Sequence, residues 1–97
     1  MAIIRYAARS LSDLERLCYF LAKSDPGAAE RTVELILTAI EMLGQHPLIG
    51  RAAEAGLRKL VISRGKSGYL ALYRYDEERD RVMVLSIRHQ REAGYVG

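Results

Sequence analysis

A chain of 97 residues fits one ordinary domain, and at this size folding buries roughly 60 to 70% of the surface the unfolded form exposes, enough for one core but not two. With 49% hydrophobic and 28% charged residues the composition is that of a globular chain, which excludes disordered and fibrous classes, and no apolar run approaches the roughly 20 residues a membrane-spanning helix needs. The net charge of +3 hides an asymmetry: residues 1–50 carry five Lys or Arg against six Asp or Glu, net −1, whereas residues 51–97 carry ten against six, net +4, which points to an anionic partner for the second half.

The first residues, Met1-Ala2-Ile3-Ile4-Arg5-Tyr6, lack the basic and then long apolar stretches of a secretory signal, so a cytoplasmic protein is expected. Residues 2–7 are apolar, β-branched or aromatic and too few for a stable helix; they predict a first strand. Ser12 with Glu15, or Ser10 with Asp13, then offers a capping pattern. Leu11, Leu14, Cys18 and Leu21, widened by Leu17, recur at spacings of three and four and predict a helix to about Lys23. Cys18, the only cysteine, is expected to be a buried structural thiol on that stripe.

Pro26 lacks the amide a helix interior needs but suits a first turn, so Asp25 is expected to cap a second helix that begins at once. Ala29, Val33, Ile36, Leu37, Ile40 and Leu43 form its stripe, and Gly44 and Pro47 are its stop signals. So short a connection makes the helices antiparallel neighbours.

After Gly50 the period changes. Residues 57–63 read as a strand, 64–68 as a glycine-bearing turn, 69–75 as a strand with Tyr69, Ala71, Tyr73 and Tyr75 on one side, and 76–80 as a charged turn. Residues 81–89 form the last strand, with Val82, Val84, Ser86 and Arg88 assigned to one face and Met83, Leu85, Ile87 and His89 to the other. The predicted fold is α+β with element order β-α-α-β-β-β, a helical hairpin packed on a small antiparallel sheet, as one domain over residues 1–97.

The chemistry begins with absences. No phosphate-cradling glycine loop, no dinucleotide fingerprint and no pair of histidines at metal-binding spacing occurs, so no metal and no cofactor are expected. No serine sits in a nucleophile-elbow pattern, and His46, before Pro47, reads as a loop residue. What remains is a cationic set: Arg51, Arg58, Arg64 and Lys66, with Arg88, His89 and Arg91 where the last strand ends. Arginines can grip phosphate or carboxylate in bidentate fashion. Cleaving RNA would also need an acid and a base, for which His89 and Tyr95 are the candidates. The bland alternative is that these arginines pair on the surface with Glu92, Asp76 or Glu77.

An ordered set of segments resembles the ParE branch of the RelE/ParE toxin superfamily: Pro26-Gly27-Ala28-Ala29, Leu43, His46-Pro47-Leu48-Ile49-Gly50-Arg51, Gly56-Leu57-Arg58-Lys59-Leu60, Tyr73-Arg74-Tyr75 and Ile87-Arg88-His89-Gln90-Arg91-Glu92. The resemblance implies the same β-α-α-β-β-β architecture and the toxin half of a type II toxin-antitoxin pair. It implies a hetero-oligomer with a cognate antitoxin, whose flexible acidic C-terminal segment wraps the toxin and whose N-terminal domain binds operator DNA. The toxin would meet that DNA only through the antitoxin.

ParE-like members are known for poisoning DNA gyrase, and RelE-like members for cleaving messenger RNA on the ribosome. RelE-like enzymes place an arginine directly after a Gly-Tyr pair in the third strand, where this chain has Leu70 after Gly68-Tyr69, and the chain ends at Gly97 with no length for a C-terminal helix. The resemblance therefore favours a gyrase poison with no chemistry of its own, binding target or antitoxin through Arg51, Arg58, Arg64, Lys66, Arg88, His89 and Arg91. The alternatives are a ribosome-dependent endoribonuclease using His89, Arg91 and Tyr95, or an inactive homologue kept as an antitoxin-binding module.

Overall fold

The computed structural model describes residues 1–64 and 67–90, apart from the side chains of Ser63, Arg64 and Ser67. Strand β1 (Ile3–Tyr6) leads into helices α1 (Ala8–Ala22) and α2 (Pro26–Glu41), and a 3-10 turn (Met42–Gly44) follows. A two-residue strand β2 (Arg51–Ala52), a second 3-10 turn (Glu54–Gly56) and strands β3 (Leu57–Arg64), β4 (Ser67–Asp76) and β5 (Arg81–His89) complete the described fold.

The expected helical hairpin and three-stranded meander are present, and two strands join the meander. The sheet order is β1-β5-β4-β3-β2. Strand β1 runs parallel to β5, so the sheet is mixed rather than wholly antiparallel, and β2 pairs antiparallel with β3. Connectivity permits the parallel pairing, since the whole helical hairpin and meander intervene between β1 and β5, far more chain than a parallel crossover requires.

Helix α1 begins three residues before the earlier of its two serine caps would place it. Ala7, not Ser10 or Ser12, occupies the cap position and offers no side-chain bond. Ser10 is fully buried and turns its hydroxyl back to the Ala7 carbonyl at 2.7 Å. Helix α2 starts as its sequence predicts: Asp25 accepts from the amides of Gly27 at 3.0 Å and Ala28 at 3.3 Å, with Pro26 in the first turn.

The core lies between the hairpin and one face of the sheet. Leu14, Leu17, Ile36, Ile40 and Leu43 meet Ile62, Tyr69, Ala71, Tyr73, Val82, Val84 and Ile87. Val33, Leu37, Leu21 and Cys18 are only half-buried, and Leu11 is exposed; the hairpin buries a narrower stripe than the apolar spacing implied.

The last strand does not alternate as predicted. Leu72 pairs with Ser86 but Tyr73 pairs with Val84, so Leu85 is an extra residue, a β-bulge. One inserted residue reverses the faces beyond it. Val82, Val84 and Ile87 all face the helices, and Ser86 and Arg88 fall on the opposite, outer face. Where β1 stops at Tyr6, α1 takes over the exposed edge of β5: the buried Asp13 carboxylate accepts the Ile87 amide at 2.9 Å.

Candidate functional site, the outer face of the sheet

Register places the side chains of the outer face. Arg51 stands opposite Lys59, Lys59 opposite Leu72, and Leu72 opposite Ser86, a row across four strands. The neighbouring row is Val61, Leu70 and Arg88, and a third brings Leu57, Arg74, Met83 and Arg5 together. The floor is aliphatic, with Leu70 and Leu72 half-buried, and the rim is cationic.

Two hollows run along this face. Arg9 of the first turn of α1, Lys59, Leu70, Leu72, Ser86 and Arg88 line one of about 270 Å³. The second, about 410 Å³, is lined by Arg51, Ala52, Ala53, Glu54, Leu57, Lys59 and Leu72. Lys59 and Leu72 belong to both, so they form one shallow groove from Arg88 to Arg51. Among the described residues, none of Arg9, Arg51, Lys59, Arg74 or Arg88 is in an ion pair with a carboxylate; the pairs that form are Arg79 with Asp76, Arg16 with Asp13, Arg31 with Asp25, and the Met1 ammonium with Asp80. Asp76, one of the acids expected to pair with these arginines, is held instead by Arg79 at 2.9 Å, and that contact keeps its carboxyl below the usual range.

The sequence-predicted cations divide between the two faces. Arg51 and Arg88 lie on the outer face. Arg58, opposite Tyr73, lies on the other, where its guanidinium donates to the carbonyls of Leu48 at 3.2 Å and Gly50 at 2.7 Å. His89 also faces the helix side, edge-on to Tyr69 with centroids 5.2 Å apart and planes at 83°. The Arg64 side chain, Lys66, Arg91 and Tyr95 lie outside the described residues. Two groove cations had not been assigned to the site. Lys59 was signalled by the alternation of Leu57, Lys59 and Val61 away from Leu60 and Ile62; Arg9 sits in the acidic half of the chain and no local pattern marks it.

Beside the groove, the loop from Gln45 to Gly50 is fastened by Tyr73. Its hydroxyl donates to the Pro47 carbonyl at 2.7 Å and accepts from the Gly50 amide at 2.9 Å. Burial raises the Tyr73 pKa against the opposing pull of the Gly50 amide and Arg58. Gly50 is obligatory, because a Cβ there would lie 2.6 Å from the Tyr73 ring and 2.9 Å from the Lys59 carbonyl oxygen. The His46-Pro47-Leu48-Ile49-Gly50-Arg51 segment is thus a clamp that delivers Arg51 to the rim. Among the described residues no cluster of His, Cys, Asp and Glu could hold a metal ion, and no helix is long and apolar enough to cross a membrane.

A helical hairpin on a mixed sheet of this order is shared with known toxins. The chromosomal ParDE system of P. aeruginosa superposes with a TM-score of 0.76 at 22% identity, covering 91% of this chain and 95% of that one. The intact RelBE toxin-antitoxin complex of E. coli gives 0.67 at 16% identity over 91% and 95%. These likenesses show that the chain shares the fold of those proteins. In sequence, the family model for the ParE toxin of the type II toxin-antitoxin system parDE matches residues 4–94. Toxin RelE3 of Caulobacter vibrioides is 36% identical over 92 residues, 95% of this chain and 98% of that protein. The chain belongs to the ParE toxin family of type II toxin-antitoxin systems.

Proposed function

We propose that this toxin acts by binding rather than by cutting, with DNA gyrase as its target, and that a cognate antitoxin neutralises it by occupying the same surface. The observation that carries this reading is that His89 lies on the face of the sheet opposite the cationic groove. His89 is turned to the helix side against Tyr69, whereas Arg88 and Lys59 lie in the outer groove over Leu70 and Leu72. A base working on an RNA held in the groove must come within hydrogen-bond reach of the proton it removes, and His89 does not face that way. Leu70, in the place where the RelE-like pattern has an arginine, offers no charge to a phosphorane.

The antitoxin reading is supported by complexes of the same fold, ParDE and RelBE, and by the groove itself. An aliphatic floor between cations suits an acidic segment that folds on binding. Purified toxin should stabilise gyrase-DNA cleavage complexes while ribosome-bound message stays intact by primer extension. A clean gyrase assay with cleaved message would replace this reading with the endoribonuclease alternative, and loss of that cleavage in His89→Ala would assign His89 to it.

A further inference from the structure

We propose that the outer face of the sheet binds the phosphate backbone of duplex DNA directly and without reading sequence. The inference deepens the gyrase reading, since it puts the toxin on the DNA as well as on the enzyme, but the binding itself is a property of this chain alone. It also departs from the expectation that DNA is met only through the antitoxin.

Charge placement is the first argument. Arg51 stands at one end of the groove, Arg88 and Arg9 at the other and Lys59 between them, with Arg74 in the adjacent row. From β2 to β5 is three strand spacings of about 4.8 Å, some 14 Å. That is of the order of the roughly 12 Å width of a DNA major groove, so cations at the two ends can address phosphates on either side of it. Because these side chains are not tied up in ion pairs among the described residues, each is available to displace condensed counterions. Glu54, at the Arg51 end, is the one acid lining the groove.

The contrast with the rest of the molecule is the second. Residues 8–41, which make the helical hairpin, carry six Asp or Glu against four Lys or Arg. Acidic hairpin and cationic sheet face make a molecule that a polyanion can orient on approach.

The placement of the tyrosines favours duplex backbone over single strands. Proteins that hold single strands stack bases on aromatic side chains. Here Tyr69 and Tyr73 are buried on the helix side and Tyr75 packs against the same core, so the groove on the outer face is lined mainly by aliphatic side chains and cations; Asp76, on the same face, is paired with Arg79. Its cations stand at the rim of a shallow groove rather than on a projecting helix or ribbon that enters a DNA groove, which suits contacts to phosphate, and such contacts position a protein without specifying sequence.

The test uses full-length toxin separated from antitoxin. Fluorescence anisotropy is read with a duplex of arbitrary sequence, about 20 base pairs or two helical turns, a single-stranded RNA of equal length, and polyglutamate, each over a salt series. Duplex binding should fall linearly with log salt, and Lys59→Gln combined with Arg88→Gln should lower the slope by about 2 and weaken low-salt binding by about tenfold or more. The single exposed variant Arg74→Gln should lower the slope by about 1, and Arg31→Gln on the hairpin should leave it unchanged. Thermal melts identify any variant that loses its fold, and Arg74→Gln carries the test if the double variant does. Absent duplex binding at low salt, a slope indifferent to both groove substitutions, or tighter binding of RNA or polyglutamate than of duplex would each overturn the proposal. DNA binding that survives alongside a clean gyrase assay would sink the gyrase reading and leave this one standing.

Discussion

Tyr73 shows how one side chain joins fold to surface. Its ring fills the core and its hydroxyl holds both ends of the Pro47–Gly50 loop, with Arg58 gripping the carbonyls of Leu48 and Gly50. Tyr73→Phe keeps the ring but leaves the buried Gly50 amide without its partner, so a loss of about 1 to 3 kcal/mol is expected in urea unfolding. Gly50→Ala should cost a similar 1 to 3 kcal/mol or more by overpacking the same contact. Tyr75 reports a different contact. Its hydroxyl donates to Asp80 at 2.6 Å, and that bond, with burial and the nearby carboxylates, pushes its pKa from 10.0 to about 12. Because the folded pKa lies above the unfolded one, this contribution to stability is complete below pH 10 and disappears as pH rises through about 12. In an ultraviolet titration of tyrosinate, Tyr75 should ionise late; Asp80→Asn should bring it forward. The loop motif was plain as letters. Its purpose was not, since the partner of Gly50 lies 23 residues away.

The helices and strands follow from period and punctuation almost throughout. Asp25-Pro26 starts α2 where capping chemistry says it must, and the apolar stripes find the core. Burial decides how much each position matters. Ile36 and Ile40 are fully buried and should cost about 2 to 5 kcal/mol as alanines in chemical denaturation, whereas half-buried Leu37 should cost less than either. Two departures had no local signal. Ser10 looked like a cap because serine so often is one, but its hydroxyl turns back to Ala7 inside the helix. The bulge at Leu85 depends on how β5 pairs with β4, which no periodicity within 81–89 encodes. It decides which face each of Arg88 and His89 takes, putting Arg88 with the outer groove and His89 with the helices. Asp13 secures that end of the strand by accepting the Ile87 amide. Asp13→Ala should cost about 1 to 3 kcal/mol by orphaning that buried amide, and hydrogen exchange at Ile87 should accelerate.

At the scale of the molecule, charge and topology act together. The sequence placed the positive charge in its second half, and β3, β4 and β5 are that half, so most of the cationic groove was legible before folding. Arg9 was not. It reaches the groove only because β1 lies parallel beside β5 and hands the chain to α1 at that edge. Arg58 and His89 were legible as members of a basic cluster but not as members of the opposite face, because alternation and the bulge, not proximity in sequence, assign a strand residue to its side.

The proposed function is that this toxin binds gyrase and cuts nothing itself. Its most direct test is the yield of linear DNA from supercoiled plasmid incubated with purified gyrase and toxin. The account predicts linear DNA that requires gyrase, rises with toxin and disappears as stoichiometric antitoxin is added. Unchanged gyrase products at toxin concentrations that cleave ribosome-bound message would contradict it.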